Sequence, residues 1–183
     1  RWFLIKKAAS ISDSAFSYIL DKTAVGKTER EIALDLEYFM FRQGAEGLSF
    51  ETIAASGVRS CMPHGTASNK IIETGDFLTL DFGCKYRGYC SDMTRTLVLG
   101  KASEKQKEIY SVVLEAQKAA LDTIRPGELA KAVDNAARCI IENSGYGKNF
   151  GHGLGHSLGL RVHESPSCSP KSTDILTENM LKS

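Results

Sequence analysis

Phe77-Leu78-Thr79-Leu80-Asp81-Phe82-Gly83, followed by Ser91-Asp92-Met93-Thr94-Arg95-Thr96-Leu97-Val98, decides the fold. Each stretch alternates apolar and polar residues over much of its length, the period-two signature of a strand. Only Cys84-Lys85-Tyr86-Arg87-Gly88-Tyr89-Cys90 lies between them, so the two strands read as a hairpin. A turn centred between Tyr86 and Arg87 sets Asp81 directly opposite Asp92 on one face. Directly opposed side chains in an antiparallel pair have Cβ atoms about 5 Å apart. Two carboxylates there repel unless a cation or a shared proton relieves them. A divalent metal is one reading; a solvated polar face, where two aspartates cost little, is the other.

Working outward, four amphipathic helices flank the hairpin. The first covers Leu4–Leu20 with Ile5, Ala8, Ala9, Phe16, Ile19 and Leu20 as its apolar positions. The second opens on the capping box Thr28-x-x-Glu31 and runs to Gln43, before Gly44. The third opens on Ser103-x-x-Gln106 and carries Ile109, Val112, Val113, Ala116, Ala120 and Ile124 on one stripe, ending at Pro126-Gly127. The fourth runs from Glu128 to Asn143, before Gly145. Gly26 and Gly127 are 101 residues apart, and so are Gly44 and Gly145. Two concordant offsets predict a duplicated helix-Gly-helix-Gly half. Carried forward by that offset, the partners of Asp81 and Asp92 fall at about position 182 and beyond Ser183. The second half is therefore expected to lack the acidic strand pair of the first.

Composition bounds the class. One domain over residues 1–183 with a sizeable core is expected. The net charge of +1 gives no basic footprint for nucleic acid or an anionic membrane. No apolar run approaches the roughly 18 residues of a membrane span. The start, Arg1-Trp2-Phe3-Leu4-Ile5-Lys6-Lys7, has too short an apolar core for a signal peptide and no initiator Met, so the chain reads as a piece of something longer. Five cysteines without a CxxC favour reduced thiols and a cytoplasmic location.

All four histidines sit in glycine- or proline-marked loops. His64 lies in Met62-Pro63-His64-Gly65-Thr66; His152, His156 and His163 lie between Gly151 and Glu164. His152 and His156 have helical spacing, yet each glycine among them disfavours helix by about 1 kcal/mol relative to Ala. The segment reads as an extended turn whose backbone approaches a ligand. Imidazole is the commonest protein metal ligand, and three histidines beside a suspected carboxylate site favour that role. P-loop, GxGxxG and HExxH patterns are all absent.

Gly26-Lys27-Thr28-Glu29, Ser49-Phe50-Glu51-Thr52-Ile53, Pro63-His64-Gly65, Leu80-Asp81-Phe82-Gly83, Ser91-Asp92-Met93-Thr94-Arg95-Thr96 and the His152 to Glu164 stretch together resemble the pita-bread metallopeptidases. That family includes prolidases (Xaa-Pro dipeptidases), aminopeptidase P, methionine aminopeptidases and creatinase. The wording around His64 and His152 resembles bacterial Xaa-Pro peptidases more than methionine aminopeptidases. The resemblance implies an α+β pita-bread fold: a curved, mainly antiparallel sheet covered by helices, a pseudo-twofold internal repeat, and here the last strands missing. In the larger enzymes this catalytic domain follows an N-terminal domain, absent from this sequence.

By motif, the resemblance makes Asp81, Asp92 and His156 metal ligands, with Asp92 bridging two ions. It makes His64 and His163 catalytic contacts of the substrate carbonyl and tetrahedral intermediate, and His152 and Phe50 pocket-lining residues. It implies two divalent ions, manganese first, cobalt or zinc as alternatives, and attack by a bridging water on a peptide substrate. The family completes its site with two glutamates on late strands, one in a motif like Thr-Ile-Glu-Pro-Gly. Here Asn179-Met180 resembles the lead-in, but Leu181-Lys182-Ser183 follows. With three ligands of five, weakened metal binding and doubtful activity are expected, and an exposed sheet edge admits a homodimer. The alternatives are an inactive peptide-binding or scaffold module on the same fold, or a methionine aminopeptidase.

Overall fold

The structure is a computed structural model and describes residues 1–180; the expectation attached to Leu181-Lys182-Ser183 lies outside the described residues. Among the described residues four helices form, α2 and α3 with side-chain caps at their starts: α1 (Trp2–Lys22), α2 (Glu29–Arg42), α3 (Glu104–Thr123) and α4 (Ala130–Asn143). Both capping boxes close, Thr28 with Glu31 and Ser103 with Gln106. Among the described residues eight strands accompany them: β1 (Gly47–Leu48), β2 (Ile53–Ser56), β3 (Phe77–Phe82), β4 (Cys84–Tyr86), β5 (Tyr89–Cys90), β6 (Met93–Val98), β7 (Gly155–Ser157) and β8 (Glu164–Cys168).

The chain divides into two compact units: Arg1–Ala102 with Gly159–Val162, and Ser103–Leu158 with the chain from His163 onward. The first unit holds two antiparallel sheets, in the orders β1-β4-β5 and β2-β3-β6. Alternation along β3 buries Leu78, Leu80 and Phe82 completely. They pack with Ile19, Ile32, Leu36 and Met40 of α1 and α2, each such side chain contributing about 1.5–3 kcal/mol by leaving water. The buried stripe of α1 runs through Ile11, Ser12 and Ala15 rather than Leu20, which is exposed. Ser12 tolerates burial because its hydroxyl bonds that of Ser91 at 2.7 Å. The second unit packs Val133, Ala137 and Ile141 of α4 with Ala116 and Ala120 of α3, Cys168 of β8 and Leu176.

The predicted repeat is present in the backbone. Gly26 N–H donates to the Ile72 carbonyl and Ile72 N–H to that of Lys27. Gly127 N–H donates to the Leu176 carbonyl and Leu176 N–H to that of Glu128. The isolated bridges Thr28↔Ile71 and Leu129↔Ile175 follow the same pattern. Gly75, at φ 88°, has its counterpart in Asn179, at φ 64°.

Candidate active site

In the first unit, Asp81 stands opposite Thr94, not opposite Asp92. The reason is the turn. Lys85 pairs with Cys90 and Tyr86 with Tyr89, leaving Arg87-Gly88 as a two-residue loop. Its φ values of 48° and 82° are both positive, the type I′ geometry that matches the twist of a hairpin. The hairpin centre therefore falls one residue later than expected, and each partner moves by two. A two-residue move preserves the face. The pairing of β3 with β6 ends at Phe82 and Met93; continued one step, that register would set Asp92 opposite Gly83, diagonal to Asp81. Thr94 Oγ1 donates to Asp81 Oδ1 at 3.0 Å. The residue before Asp92 is pinned: Cys84 N–H donates to Ser91 Oγ at 2.9 Å, and Ser91 Oγ also meets Ser12 Oγ on α1. Burial pushes the Cys84 thiol pKa up despite the Ser91 contact, so this cysteine is a packing group.

His64 is exposed on the loop after the short helical turn Gly57–Cys61, and its carbonyl accepts from Thr66 N–H at 2.9 Å. Phe50 is half-buried between β1 and β2. A carboxylate that the sequence did not single out holds the His64 loop. Glu29, the first residue of α2, is fully buried. Its Oε1 accepts from the Ser56 N–H and hydroxyl at 2.6 and 3.0 Å. Its Oε2 accepts from Arg59 Nε at 3.0 Å and from the Ser68 N–H and hydroxyl at 3.1 and 2.7 Å. Arg59 also donates to the Thr66 carbonyl at 2.7 Å. Both ends of the His64 loop are thus tied to one carboxylate. Burial acts to raise the Glu29 pKa, and the Ser68 and Ser56 hydrogen bonds outweigh it, leaving the group below its ordinary value.

In the second unit, the glycine-rich stretch is extended, as expected, and becomes β7 from Gly155. His156 and His163 meet edge to face, ring centroids 4.4 Å apart. His156 Nδ1 lies 3.1 Å from the Ser157 carbonyl oxygen; donation there leaves the lone pair on Nε2, the usual arrangement of a metal-binding imidazole. His152 packs edge-on against Phe150 with centroids 5.0 Å apart. Asp134 and Arg138, again not singled out by the sequence, organise this loop. Asp134 is 1% exposed, pairs with Arg138 Nε at 2.8 Å and accepts from Leu154 N–H at 3.0 Å. Arg138 donates to the Phe150 and His152 carbonyls at 2.9 and 2.8 Å.

Asp134→Ala removes the counter-charge and the Leu154 acceptor but leaves Arg138 its two carbonyls and some solvent. The expected loss is about 2 kcal/mol in urea unfolding, with faster proteolytic cleavage at Gly151–Gly155. Unchanged unfolding and cleavage would show that the loop is held elsewhere.

Asp81, Asp92, His64 and Phe50 thus belong to the first unit, and His152, His156 and His163 to the second. Two carboxylates and a carbonyl-oriented imidazole are donors of the types that an oxygen-preferring divalent ion takes. Among the described residues, no group of three or more His, Cys, Asp or Glu side chains is disposed to hold a metal ion. The donor types fit such an ion, while neither unit alone gathers three donors. Among the described residues, no helix is long and apolar enough to cross a membrane.

Residues 4–183 match the profile of metallopeptidase family M24. A Xaa-Pro dipeptidase of Pyrococcus horikoshii is 49% identical over 97% of this chain and 51% of its own length. The solved Xaa-Pro dipeptidase from Bacillus anthracis is 48% identical with a TM-score of 0.95, over 97% of this chain and 50% of that one. The solved X-Pro aminopeptidase from Thermotoga maritima is 48% identical with a TM-score of 0.94, over 96% of this chain and 50% of that one. The chain spans about half the length of the relatives it matches.

Proposed function

The chain belongs to metallopeptidase family M24 and has the pita-bread fold of the prolidases, and on that premise we propose that it is a catalytic portion of a metal-dependent peptidase acting at Xaa-Pro bonds. The observation that carries the reading is the 49% identity to a Xaa-Pro dipeptidase over 97% of the chain, joined to the motif residues Asp81, Asp92, His64, His156 and His163.

In this reading Asp81, Asp92 and His156 hold divalent ions, manganese first given the oxygen-rich donors. When bound, such ions lower the pKa of a water and polarise the carbonyl to be attacked. The remaining roles belong to the chain itself. His64 and His163 donate N–H groups to the substrate carbonyl oxygen, where negative charge develops. Glu29 orients the His64 loop through Arg59 and Ser68. Arg138 fixes the backbone at His152, whose ring, with Phe50, bounds the subsite for the residue after the scissile bond.

Calorimetric titration with Mn²⁺ and cleavage of Ala-Pro and Ala-Pro-Ala test the reading. A polypeptide of these 183 residues is expected to bind Mn²⁺ weakly and to cleave slowly, since it supplies three of the family's five ligand positions. Full turnover by it would refute the five-ligand account. Asp92→Ala is expected to cut Mn²⁺ affinity by more than about 100-fold, beyond what losing an outer-shell partner costs. His152→Ala leaves it unchanged. Equal effects of the two substitutions would remove Asp92 from the metal site. Preference for Ala-Pro over Ala-Pro-Ala identifies a dipeptidase, the reverse an aminopeptidase; cleavage of neither by the longer protein would leave the inactive peptide-binding module.

A further inference from the structure

The repeat supplies an internal control for the charges around Glu29. The backbone contacts of the two halves match. Glu29 N–H donates to the Lys70 carbonyl at 3.0 Å, and Ala130 N–H to that of Asp174 at 2.9 Å. Asp76 N–H donates to the Glu73 carbonyl, and Met180 N–H to that of Thr177. Glu73 N–H meets Asp76 Oδ2 at 3.0 Å where Thr177 N–H meets Met180 Sδ at 3.3 Å. The side chains differ. Glu29, Lys70 and Asp76 of the first half stand where the second has Ala130, Asp174 and Met180. Ala130 is fully buried, as Glu29 is. The repeated backbone therefore forms without these charges.

In the first half the charges are joined. Lys70 Nζ donates to Asp76 Oδ2 at 2.7 Å, to Ser56 Oγ at 3.0 Å and to the Ile71 carbonyl at 2.9 Å. Ser56 Oγ donates in turn to Glu29 Oε1, whose other oxygen holds Arg59. Two carboxylates thus balance two cations. Asp76 also sits against the start of the His64 loop: a Cβ on Gly57, at φ 58°, would lie 2.7 Å from Asp76 Oδ1. The 101-residue offset sets Ser157 against Ser56, and each is the last residue of its strand. Ser157 Oγ is buried with no partner among the described residues, consistent with an alanine in the place of Glu29.

The loops that follow these two serines are closed differently. After Ser157 the chain returns as β8, which pairs with β7 and so fixes the backbone beside His163. After Ser56, among the described residues, only the isolated bridge Ile53↔Thr66 joins the returning chain to β2. One bridge fixes fewer backbone groups than a ladder does.

We infer that Lys70 and Asp76 are positioning residues for His64, forming with Glu29 and Arg59 a charge network that takes the place of a ladder. The Lys70–Asp76 pair fixes the entry of the loop at Ser56 and Gly57; Glu29 and Arg59 fix its exit at Thr66 and Ser68. Neither Lys70 nor Asp76 is assigned a contact with substrate. The inference rests on the reading of His64 as a contact of the substrate carbonyl.

The test pairs Lys70→Met with Asp76→Asn in the full-length protein. The control is Lys27→Met with Asp35→Asn, a separate ion pair of the same unit. Each double substitution removes one charge of each sign. The first is expected to lower kcat for Ala-Pro by about 10-fold or more, as misplacement of a contacting group does. Mn²⁺ affinity stays unchanged, because the proposed ligands are untouched. Amide hydrogen exchange over residues 57–65 speeds up by about 10-fold or more relative to β3, as expected of a loop released locally. Lys70→Arg keeps the ion pair and most of kcat, and the control pair changes none of these. Unchanged exchange in the loop overturns the inference. So does faster exchange with kcat intact, or an equal effect of the control pair. Faster exchange throughout β2 and β3 with a thermal midpoint lowered by about 10 °C or more makes the pair part of the fold and also overturns it. If the parent cleaves neither Ala-Pro nor Ala-Pro-Ala, the peptidase reading falls separately. Loop exchange then still decides whether the pair holds the loop: a local rise supports it, no change overturns it.

Discussion

Glu29→Ala destabilises the first unit by about 3–5 kcal/mol, the cost of breaking a buried ion pair and orphaning its donors. The magnitude follows from what the carboxylate holds. Five donors converge on its two oxygens: two backbone N–H groups, two hydroxyls and the Arg59 guanidinium. Ser56 is fully buried, so its hydroxyl and N–H lose their acceptor without gaining water. The carboxylate also sits in the first turn of α2, where the helix dipole favours negative charge. In a unit of this size such a loss lowers the thermal midpoint by roughly 10 °C or more. The pH dependence has a definite direction. Because the folded group lies below the ordinary glutamate value of about 4.3, the unfolded chain takes up the proton first as pH falls. The contribution of Glu29 is complete above about pH 4.3 and drains away below it. Glu29→Gln keeps the volume, loses part of the stability, and flattens the stability curve below that pH. A Glu29→Ala midpoint within about 2 °C of the parent would show that water replaces the carboxylate. An acid limb unchanged in Glu29→Gln would assign the pH dependence to other carboxylates.

How far the sequence carried this site depends on the range of the interaction. Capping boxes act over three residues, and both were legible and both close. The glycine offsets were legible because left-handed positions favour glycine, just past a helix at Gly44 and Gly145 and in the turn between helices at Gly26 and Gly127. Hairpin register was not, because a turn admits several centres. Only the paired positive φ values of Arg87 and Gly88 fix it, and Arg-Gly is a weak signal for that turn compared with Asn-Gly. The error moved each partner by two residues rather than one, a shift that does not by itself change which face a strand residue is on. Glu29 and Asp134 were missed for a different reason. Each reads locally as a solvated helix charge: Glu29 beside a capping box, Asp134 as half of an i,i+4 pair with Arg138. Their burial comes from segments distant in sequence, Ser56 and Ser68 for one and the backbone from Phe150 to Leu154 for the other. Pairing of that kind leaves no periodic trace. One signal was available: Glu29 follows directly on Gly26-Lys27-Thr28 within a family motif, and a carboxylate fixed in a motif invites a structural role.

Gly83→Ala is expected to prevent the first unit from folding, or to cost more than the roughly 3 kcal/mol at the upper end of ordinary overpacking. A Cβ at Gly83 would lie 2.0 Å from the Ser91 carbonyl oxygen, 2.8 Å from its carbonyl carbon and 3.3 Å from the Asp92 Cα. All three are backbone atoms, so no side-chain rotation relieves the overlap. The strands must separate there, which breaks the Cys84 N–H to Ser91 Oγ bond and the Ser12 to Ser91 contact behind it. The face that Asp92 shares with Asp81 moves with them, so the same methyl group also removes the carboxylate pairing on which the proposed metal site depends. Gly47→Ala is the matched control: Gly47 pairs with Lys85 in the neighbouring sheet, and its added methyl meets nothing within 4 Å. The two substitutions are chemically identical and differ only in what stands opposite. Circular dichroism and urea unfolding are expected to show Gly47→Ala within about 1 kcal/mol of the parent and Gly83→Ala unfolded or strongly weakened. Equal stability of the two variants would mean that the hairpin opens at Gly83 at little cost. In that case the close approach of Ser91 would be incidental, and the register that keeps Asp81 and Asp92 on one face would need another anchor than this glycine.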